Sequence, residues 1–152
     1  MISNYLNKNR IKVPLDSVNK NEVIGELTDL LCNSHGLHNR DEIYDAMVKR
    51  ERDMSTGVGH GLAIPHAKID SIEIPLMVAG ISPGGIDFES VDGRPAYIFI
   101  MLLSPTDSTN EHVRILSELS MILNSQEARS EVLSSSNSRE FLSVIKSHEE
   151  SL

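Results

Sequence analysis

The sequence is poor in cysteine and aromatic residues, and it has no long apolar segment. Cys32 is the one cysteine among 152 residues, so an internal disulfide is impossible, and we interpret Cys32 as a small core residue of a helix. The longest apolar run, residues 96–103, is far shorter than the roughly 20 residues that span a bilayer. The first residues lack the basic and apolar regions of a signal peptide. We therefore expect a cytoplasmic protein that does not insert into a membrane.

Basic residues are also scarce relative to acidic ones. The 14 lysines and arginines face 22 aspartates and glutamates, which gives a formal net charge of −8. Nucleic-acid binding calls for a basic face, so this class of partner is disfavoured. The apolar share of 39% and the charged share of 24% are ordinary for a globular protein. The length predicts a single domain over residues 1–152.

Helical and strand patterns alternate along the chain. Asn19 followed by Glu22 predicts a capped helix that Gly36 ends. A second helix is predicted from residue 39 or 40 to about Asp53, and Ser108 with Glu111 has the spacing of a capping box for a third. Later helices are predicted at 128–133 and from 138, strands at 11–13, 62–64, 74–81, 86–88 and 96–103, and a turn at 83–85. This alternation predicts an α/β fold with a mixed sheet.

A glycine-rich stretch from Ser55 to His66 organises these elements. Its three alternate glycines at 57, 59 and 61 allow close approach of the backbone or unusual conformations. Pro65 withholds a backbone N–H and is expected to end a strand, so that His66 lies where the chain opens. A histidine there can act as a base, a ligand or a nucleophile. The stretch lacks the Walker pattern and fits the dinucleotide-binding fingerprint poorly.

Two further residues can serve an anion site. Arg50 continues the apolar face of the second helix, either as a cation suited to the helix C-terminus or as a guanidinium aimed at the glycine stretch. His112 lies in the first turn of the third helix, where free amides and the helix dipole favour an anion. The alternative for His112 is an amphipathic residue at the edge of the core. The pattern alone leaves both alternatives open.

Residues 50–52, Arg-Glu-Arg, together with Ser55 to Lys68 resemble the active-site signature of the fructose/mannitol/nitrogen class of enzyme IIA in the bacterial phosphoenolpyruvate:sugar phosphotransferase system. The resemblance implies a mixed sheet with helices on both sides. It assigns His66 as the phosphorylated histidine, with Nε2 as the acceptor atom, Arg50 as the active-site arginine and His112 as the second histidine. It implies the phosphorylated carrier HPr as donor, a IIB domain as acceptor, and no cofactor or metal. The chain departs at His60, where the family often carries asparagine.

Three hypotheses follow. The first is a phosphotransferase component that either serves sugar uptake through a IIB domain or acts as a nitrogen-type regulator, whose phosphorylation state controls regulatory target proteins by binding. Because no IIB or IIC segment follows within the 152 residues, we expect the regulatory role. The second is a zinc site formed by His60, His66 and His112, which Arg50 would oppose. The third is an interaction module without chemistry, which leaves the placement of the two histidines and the arginine unexplained.

Overall fold

The computed structural model describes residues 1–152, in which helices and strands alternate. The helices are α1 (Lys20–His35), α2 (Arg40–Asp53), α3 (Thr109–Leu123), α4 (Gln126–Leu133) and α5 (Ser138–Glu150). The strands are β1 (Ile11–Lys12), β2 (Gly57–Gly59), β3 (Leu62–Ala63), β4 (His66–Ile69), β5 (Leu76–Ile86) and β6 (Ala96–Pro105). Two short 3₁₀ turns, Ile2–Tyr5 and Lys8–Arg10, precede β1. The predicted α/β fold class is confirmed.

Strand β6 lies in the middle of one mixed sheet of six strands. It pairs antiparallel with β5 on one side, and β5 pairs in parallel with β1. On its other side β6 pairs in parallel with β3 and, further along, with β4. Strand β2 pairs antiparallel with β3. Because β4 pairs with β6 alone, the outer edge of β4 is open.

Helices cover both faces of this sheet, as expected. Phe99 and Met101 of β6 pack into the core beneath α1 and α2, whereas Ile98 and Ile100 pack into the core beneath α3, α4 and α5. Successive side chains of a strand point to opposite faces. A central strand covered on both faces therefore reads as a continuous apolar run, which is the pattern that predicts β6 from the sequence.

The helix ends bear out one capping prediction and contradict another. The Asn19 side chain accepts a hydrogen bond from the amide of Glu22 at 3.0 Å, and Gly36 ends α1 in the left-handed conformation. Ser108 precedes α3, but its side chain makes no capping hydrogen bond. Glu111, its expected partner, accepts a hydrogen bond from the Tyr5 hydroxyl at 3.0 Å instead. The capping box predicted at α3 is therefore wrong, since neither side chain caps the helix and Glu111 makes a tertiary contact.

Residues 83–85, predicted as a turn, lie inside β5. The strand becomes irregular after Ile81 and pairs with β6 again at Ile86. Gly85 has a φ of 78°, and a Cβ added to it would lie 2.7 Å from the ring of Tyr97. The glycine therefore lets a bulged strand pass close to an aromatic side chain. Ile74, predicted to begin this strand, is exposed and precedes it.

Pro65 does not end a strand in the way that the sequence predicts. Strand β3 stops at Ala63, but the chain keeps its register against β6, where Ala63 pairs with Phe99 and His66 with Leu102. The Pro65 carbonyl accepts a hydrogen bond from the Leu102 amide at 2.9 Å. Proline lacks only a donor, and an edge position tolerates that loss. His66 is therefore the first residue of β4, and the chain does not leave the sheet there.

Candidate active site

A cleft of about 640 Å³ lies along the open edge of β4. Helix α2 contributes one wall and α3 the other, with β4 between them. The charged and histidine side chains that line it are Lys49, Arg50, Asp53, His66, Lys68 and His112. The fold thus brings the three predicted site residues, His66, His112 and Arg50, into one cleft, although 46 residues separate the two histidines.

The backbone holds the His66 ring by one nitrogen. Nδ1 lies 2.7 Å from the carbonyl oxygen of Ile64. A carbonyl can only accept a hydrogen bond, so Nδ1 carries the proton and donates it. The lone pair of the neutral ring is then on Nε2, which makes no hydrogen bond to the protein. This arrangement leaves Nε2 available as a nucleophile or a ligand.

The surroundings of His66 keep its ring neutral. Burial lowers the pKa of His66 below its ordinary value, and the positive charge of Arg50 lowers it further, while the hydrogen bond to Ile64 acts in the opposite direction. A neutral imidazole retains its lone pair near pH 7. His66 therefore has the protonation state that attack on an electrophile requires.

His112 is more deeply buried than His66. Its side chain comes from the first turn of α3 and is 5% exposed, and its ring centroid lies 5.4 Å from that of His66. Nδ1 of His112 lies 2.6 Å from the hydroxyl of Ser104, which is fully buried at the end of β6. Burial, together with positive charge on neighbouring groups, lowers the pKa of His112 to about 4. Its ring is therefore also neutral near pH 7.

Arg50 has two roles in the structure, which correspond to the two interpretations of the sequence. One guanidinium nitrogen, Nη1, donates to the Met54 carbonyl at the end of α2 at 2.9 Å. The other nitrogens make no hydrogen bond to the protein, and the side chain lines the cleft. Arg50 thus caps its own helix while its remaining N–H groups stay available to an anion.

The cleft has a positive balance of charge in an acidic protein. Lys49, Arg50 and Lys68 line it with one carboxylate, that of Asp53, whereas the whole chain carries −8. A cationic concave site concentrates anions. The arrangement suits a phosphoryl group and opposes a metal cation.

Lys68 and Ser104 are further site residues that are absent from the sequence predictions. Lys68 follows His66 by two positions in β4, and the buried Ala67 lies between them, so the period of two in a strand places both side chains on one face. That alternation could have identified Lys68. Ser104 is the polar residue directly after a long apolar run, but nothing in the sequence pairs it with His112.

Glu51, the middle residue of the Arg-Glu-Arg segment at 50–52, binds the part of the chain that leads from α2 into the glycine stretch. Its carboxylate, only 7% exposed, accepts hydrogen bonds from the Thr56 amide, at 2.8 Å, and from the Thr56 hydroxyl. It also pairs with Lys20 at 3.0 Å. A buried carboxylate with these partners is well satisfied. The three residues therefore anchor the end of α2, where Arg50 lies.

The three glycines serve the β2–β3 hairpin, and none of them lines the cleft. A Cβ on Gly57 would lie 2.3 Å from the Ser90 hydroxyl, so this glycine allows close packing within the chain. His60 is exposed at the hairpin turn with a φ of 57°, and it lines a separate cleft with Arg94 and Arg129. The zinc hypothesis therefore loses one of its three ligands.

Comparison with known proteins shows the family of the chain. A family model described as "Phosphoenolpyruvate-dependent sugar phosphotransferase system, EIIA 2" matches residues 4–148. The chain is 35% identical over 148 residues to the PTS system fructose-specific EIIABC component of Bacillus subtilis (strain 168), and the match covers 97% of the chain but 23% of that protein. It is 38% identical over 114 residues to the PTS system fructose-specific EIIA component of Haloferax volcanii, and the match covers 75% of this chain and 74% of that protein.

Solved structures share the fold. The crystal structure of the nitrogen regulatory protein IIA-Ntr from Neisseria meningitidis has a TM-score of 0.88 at 24% identity and covers 95% of this chain and 98% of its own. The complex of enzyme IIAMTL and phosphorylated enzyme IIBMTL from Escherichia coli gives a TM-score of 0.80 at 19% identity. The match covers 93% of this chain and 97% of the solved chain. No helix of the chain combines the length and apolar character needed to span a membrane.

Proposed function

The chain belongs to the EIIA type-2 family of the phosphoenolpyruvate-dependent sugar phosphotransferase system, and from this premise we propose that it carries a phosphoryl group on Nε2 of His66. One observation carries the proposal above the others. Nδ1 of His66 faces the Ile64 carbonyl at 2.7 Å, so the neutral ring presents its lone pair on Nε2. A histidine held in this way is an activated nucleophile in an anion-binding cleft.

The transfer is an in-line displacement at phosphorus. The Nε2 lone pair of His66 forms a new N–P bond while the N–P bond of a phosphohistidine on the donor breaks, and the donor imidazole leaves with its electron pair. The ring of His66 then gains positive character. Its Nδ1–H bond to the Ile64 carbonyl strengthens in response, because a charged donor makes the stronger hydrogen bond.

The cleft stabilises the group in transit by charge and hydrogen bonds. The transition state spreads negative charge over three equatorial oxygens. The free N–H groups of Arg50 are donors for those oxygens, the His112 ring lies in the same cleft, and Lys68 adds positive charge on the same face of β4 as His66. Donors that are already in place need little reorganisation during the reaction.

The donor and acceptor are proteins in this proposal. The donor is the phosphorylated carrier HPr, as the resemblance implies. The acceptor is a IIB domain, and the Escherichia coli complex of enzyme IIAMTL with phosphorylated enzyme IIBMTL supports that choice. The open edge of β4 gives a second protein access to His66, which is partly exposed.

Relatives named for sugar uptake and relatives named for nitrogen regulation both match the chain. The two fructose-specific relatives share 35% and 38% of residues over 148 and 114 positions, and two nitrogen regulatory proteins share 31% and 36% over 121 and 80 positions. Transfer of phosphate from the chain to a fructose-type IIB domain supports uptake. Phosphorylation without any such transfer supports regulation.

Labelling with phosphorylated HPr tests the central proposal. We expect the wild-type chain to gain one acid-labile phosphate, which mass spectrometry maps to His66. His66→Ala removes the acceptor nitrogen and should abolish labelling, while His60→Ala, in the other cleft, is the matched control and should be labelled fully. An unlabelled wild-type chain, or a fully labelled His66→Ala variant, contradicts the proposal.

A further inference from the structure

Ser104 is a fully buried polar residue whose side chain serves one contact. It follows the apolar run of β6 and is 0% exposed. Its hydroxyl lies 2.6 Å from Nδ1 of His112 and makes no other hydrogen bond. A buried hydroxyl is unfavourable unless it is hydrogen-bonded. The contact with His112 therefore has to satisfy the Ser104 hydroxyl on its own.

Only one direction of this hydrogen bond satisfies both groups. If Nδ1 of His112 carried the proton and donated it, the Ser104 hydroxyl hydrogen would be buried without an acceptor. If the hydroxyl donates to a bare Nδ1, that hydrogen has its partner, and the proton of the neutral ring is on Nε2. Nε2 makes no hydrogen bond to the protein, and its ring lines the cleft. The second arrangement leaves no buried donor unpaired.

We propose that Ser104 is a positioning residue, which keeps the proton of the neutral His112 ring on Nε2 by donating its own hydroxyl hydrogen to Nδ1. The His66 ring lies 5.4 Å away between centroids and has the opposite tautomer, because the Ile64 carbonyl behind it can only accept. One ring thus offers a lone pair to the cleft while the other offers an N–H.

This pairing matters for the transfer, and the role of Ser104 rests on the proposed function of His66. A phosphoryl oxygen on His66 needs a donor, and a neutral His112 can supply one only in the Nε2–H tautomer. With the tautomer already set, His112 donates without taking up a proton as the phosphoryl group arrives. The cost of reorganisation at that moment is then small.

Nuclear magnetic resonance of the full chain tests the tautomers directly. Long-range ¹H–¹⁵N correlations at pH 8, without any phosphoryl donor, show which ring nitrogen carries each proton. We expect Nε2–H for His112 and Nδ1–H for His66. In Ser104→Ala the ¹⁵N resonance of His112 Nδ1 should move toward that of a lone pair without a hydrogen bond, because the hydroxyl donor is gone, while the His66 pattern stays unchanged. A wild-type His112 protonated on Nδ1, or a Ser104→Ala spectrum identical to wild type, overturns the role of Ser104.

Two further variants separate the hydroxyl from general packing. Ser104→Thr keeps the hydroxyl and should keep the wild-type pattern. Ser82→Ala removes a hydroxyl from another buried position, in β5, and should change neither ring. The transfer rate from phosphorylated HPr should fall about tenfold in Ser104→Ala, which corresponds to the loss of one hydrogen bond, and should be unchanged in Ser82→Ala.

The proposal for Ser104 and the proposed phosphorylation of His66 can be contradicted independently. A wild-type chain that takes no phosphate contradicts the proposed function, whereas the tautomer of His112 is read from the same unphosphorylated protein. A chain labelled on His66 whose His112 carries its proton on Nδ1 overturns the role of Ser104 alone. An equal rate in Ser104→Ala and wild type also overturns it.

Discussion

His66 and His112 occupy the same cleft, yet the groups behind their rings differ. Nδ1 of His66 faces the Ile64 carbonyl, and Nδ1 of His112 faces the Ser104 hydroxyl, at 2.7 and 2.6 Å. Burial lowers the pKa of both rings. Charge therefore does not distinguish the two histidines near pH 7. The direction of one hydrogen bond to each ring does.

The comparison teaches that a residue type alone does not define a role in the site. A carbonyl behind a neutral ring leaves a lone pair on Nε2, and a donating hydroxyl leaves an N–H there. The main chain supplies the first group, since Ile64 lies two residues before His66. A side chain of another strand supplies the second. The first arrangement is local in sequence, and the second depends on how α3 packs against β6.

After loss of the acceptor itself, removal of His112 should reduce the rate of phosphoryl transfer more than any other change. His112→Ala takes away one donor to the phosphoryl oxygens, and loss of such a donor lowers rates about a hundredfold or more. The final stoichiometry should remain one phosphate on His66. Rapid-quench transfer from phosphorylated HPr measures the rate. His112→Gln, whose amide can donate, should lose less.

Two results would contradict this assignment of roles. If His112→Ala took up no phosphate while His66→Ala was labelled, His112 would be the acceptor. If His112→Ala transferred phosphate as fast as wild type, His112 would make no contact with the group in transit.

The two histidines should make the free energy of unfolding depend on pH. The unfolded chain binds a proton at His112 near its ordinary pKa of 6.5, but the folded chain does so only near 4. As the pH falls from 6.5 toward 4, the unfolded state binds more protons, so the free energy of unfolding falls. His66 acts in the same direction, since its pKa is also lowered.

Urea unfolding at a series of pH values between 7.5 and 4 measures this dependence. His112→Gln removes the larger of the two shifts, so its free energy of unfolding should fall less steeply than that of wild type. The carboxylates contribute equally to both proteins, and the difference between the curves isolates His112. Curves of equal slope would contradict burial of a neutral imidazole.

Substitution of His60 should have the smallest effect, and it serves as the control for His66 and His112. His60 lies at a hairpin turn with a φ of 57°, which a side chain disfavours and glycine adopts freely. His60→Gly should raise the free energy of unfolding by about 0.5–1 kcal/mol and leave phosphate transfer unchanged. Thermal unfolding and labelling measure the two quantities. A large loss of labelling would show that His60 takes part in the site.

Sequence patterns predicted the elements whose determinants lie close together in the chain. Asn19 and Glu22 are three residues apart, and the apolar run of β6 is continuous, so both features are visible locally. The predictions failed where a distant side chain decides the outcome. Gly85 packs against Tyr97 inside a strand, and Glu111 bonds to Tyr5 instead of capping α3. Neither partner is visible within a window of a few residues.

The candidate site divides in the same way. The resemblance to a family signature identified His66, Arg50 and His112, and helix periodicity placed Arg50 and His112 on the apolar faces of their helices. Lys68 is predictable from the alternation of side chains along β4. The role of Ser104 depends on the contact between β6 and α3. The periodicity of either element alone does not reveal this contact.

The order of residues by itself determined the apolar pattern of the sheet, the ends of α1 and the presence of two imidazoles and a guanidinium. Only the tertiary structure decided that these groups share one cleft and which nitrogen of each ring contacts a protein oxygen. The physical reason is that periodicity determines which face a side chain occupies, whereas a tautomer depends on the atom that lies opposite the ring. For His112 that atom belongs to a strand on the other side of a packed interface.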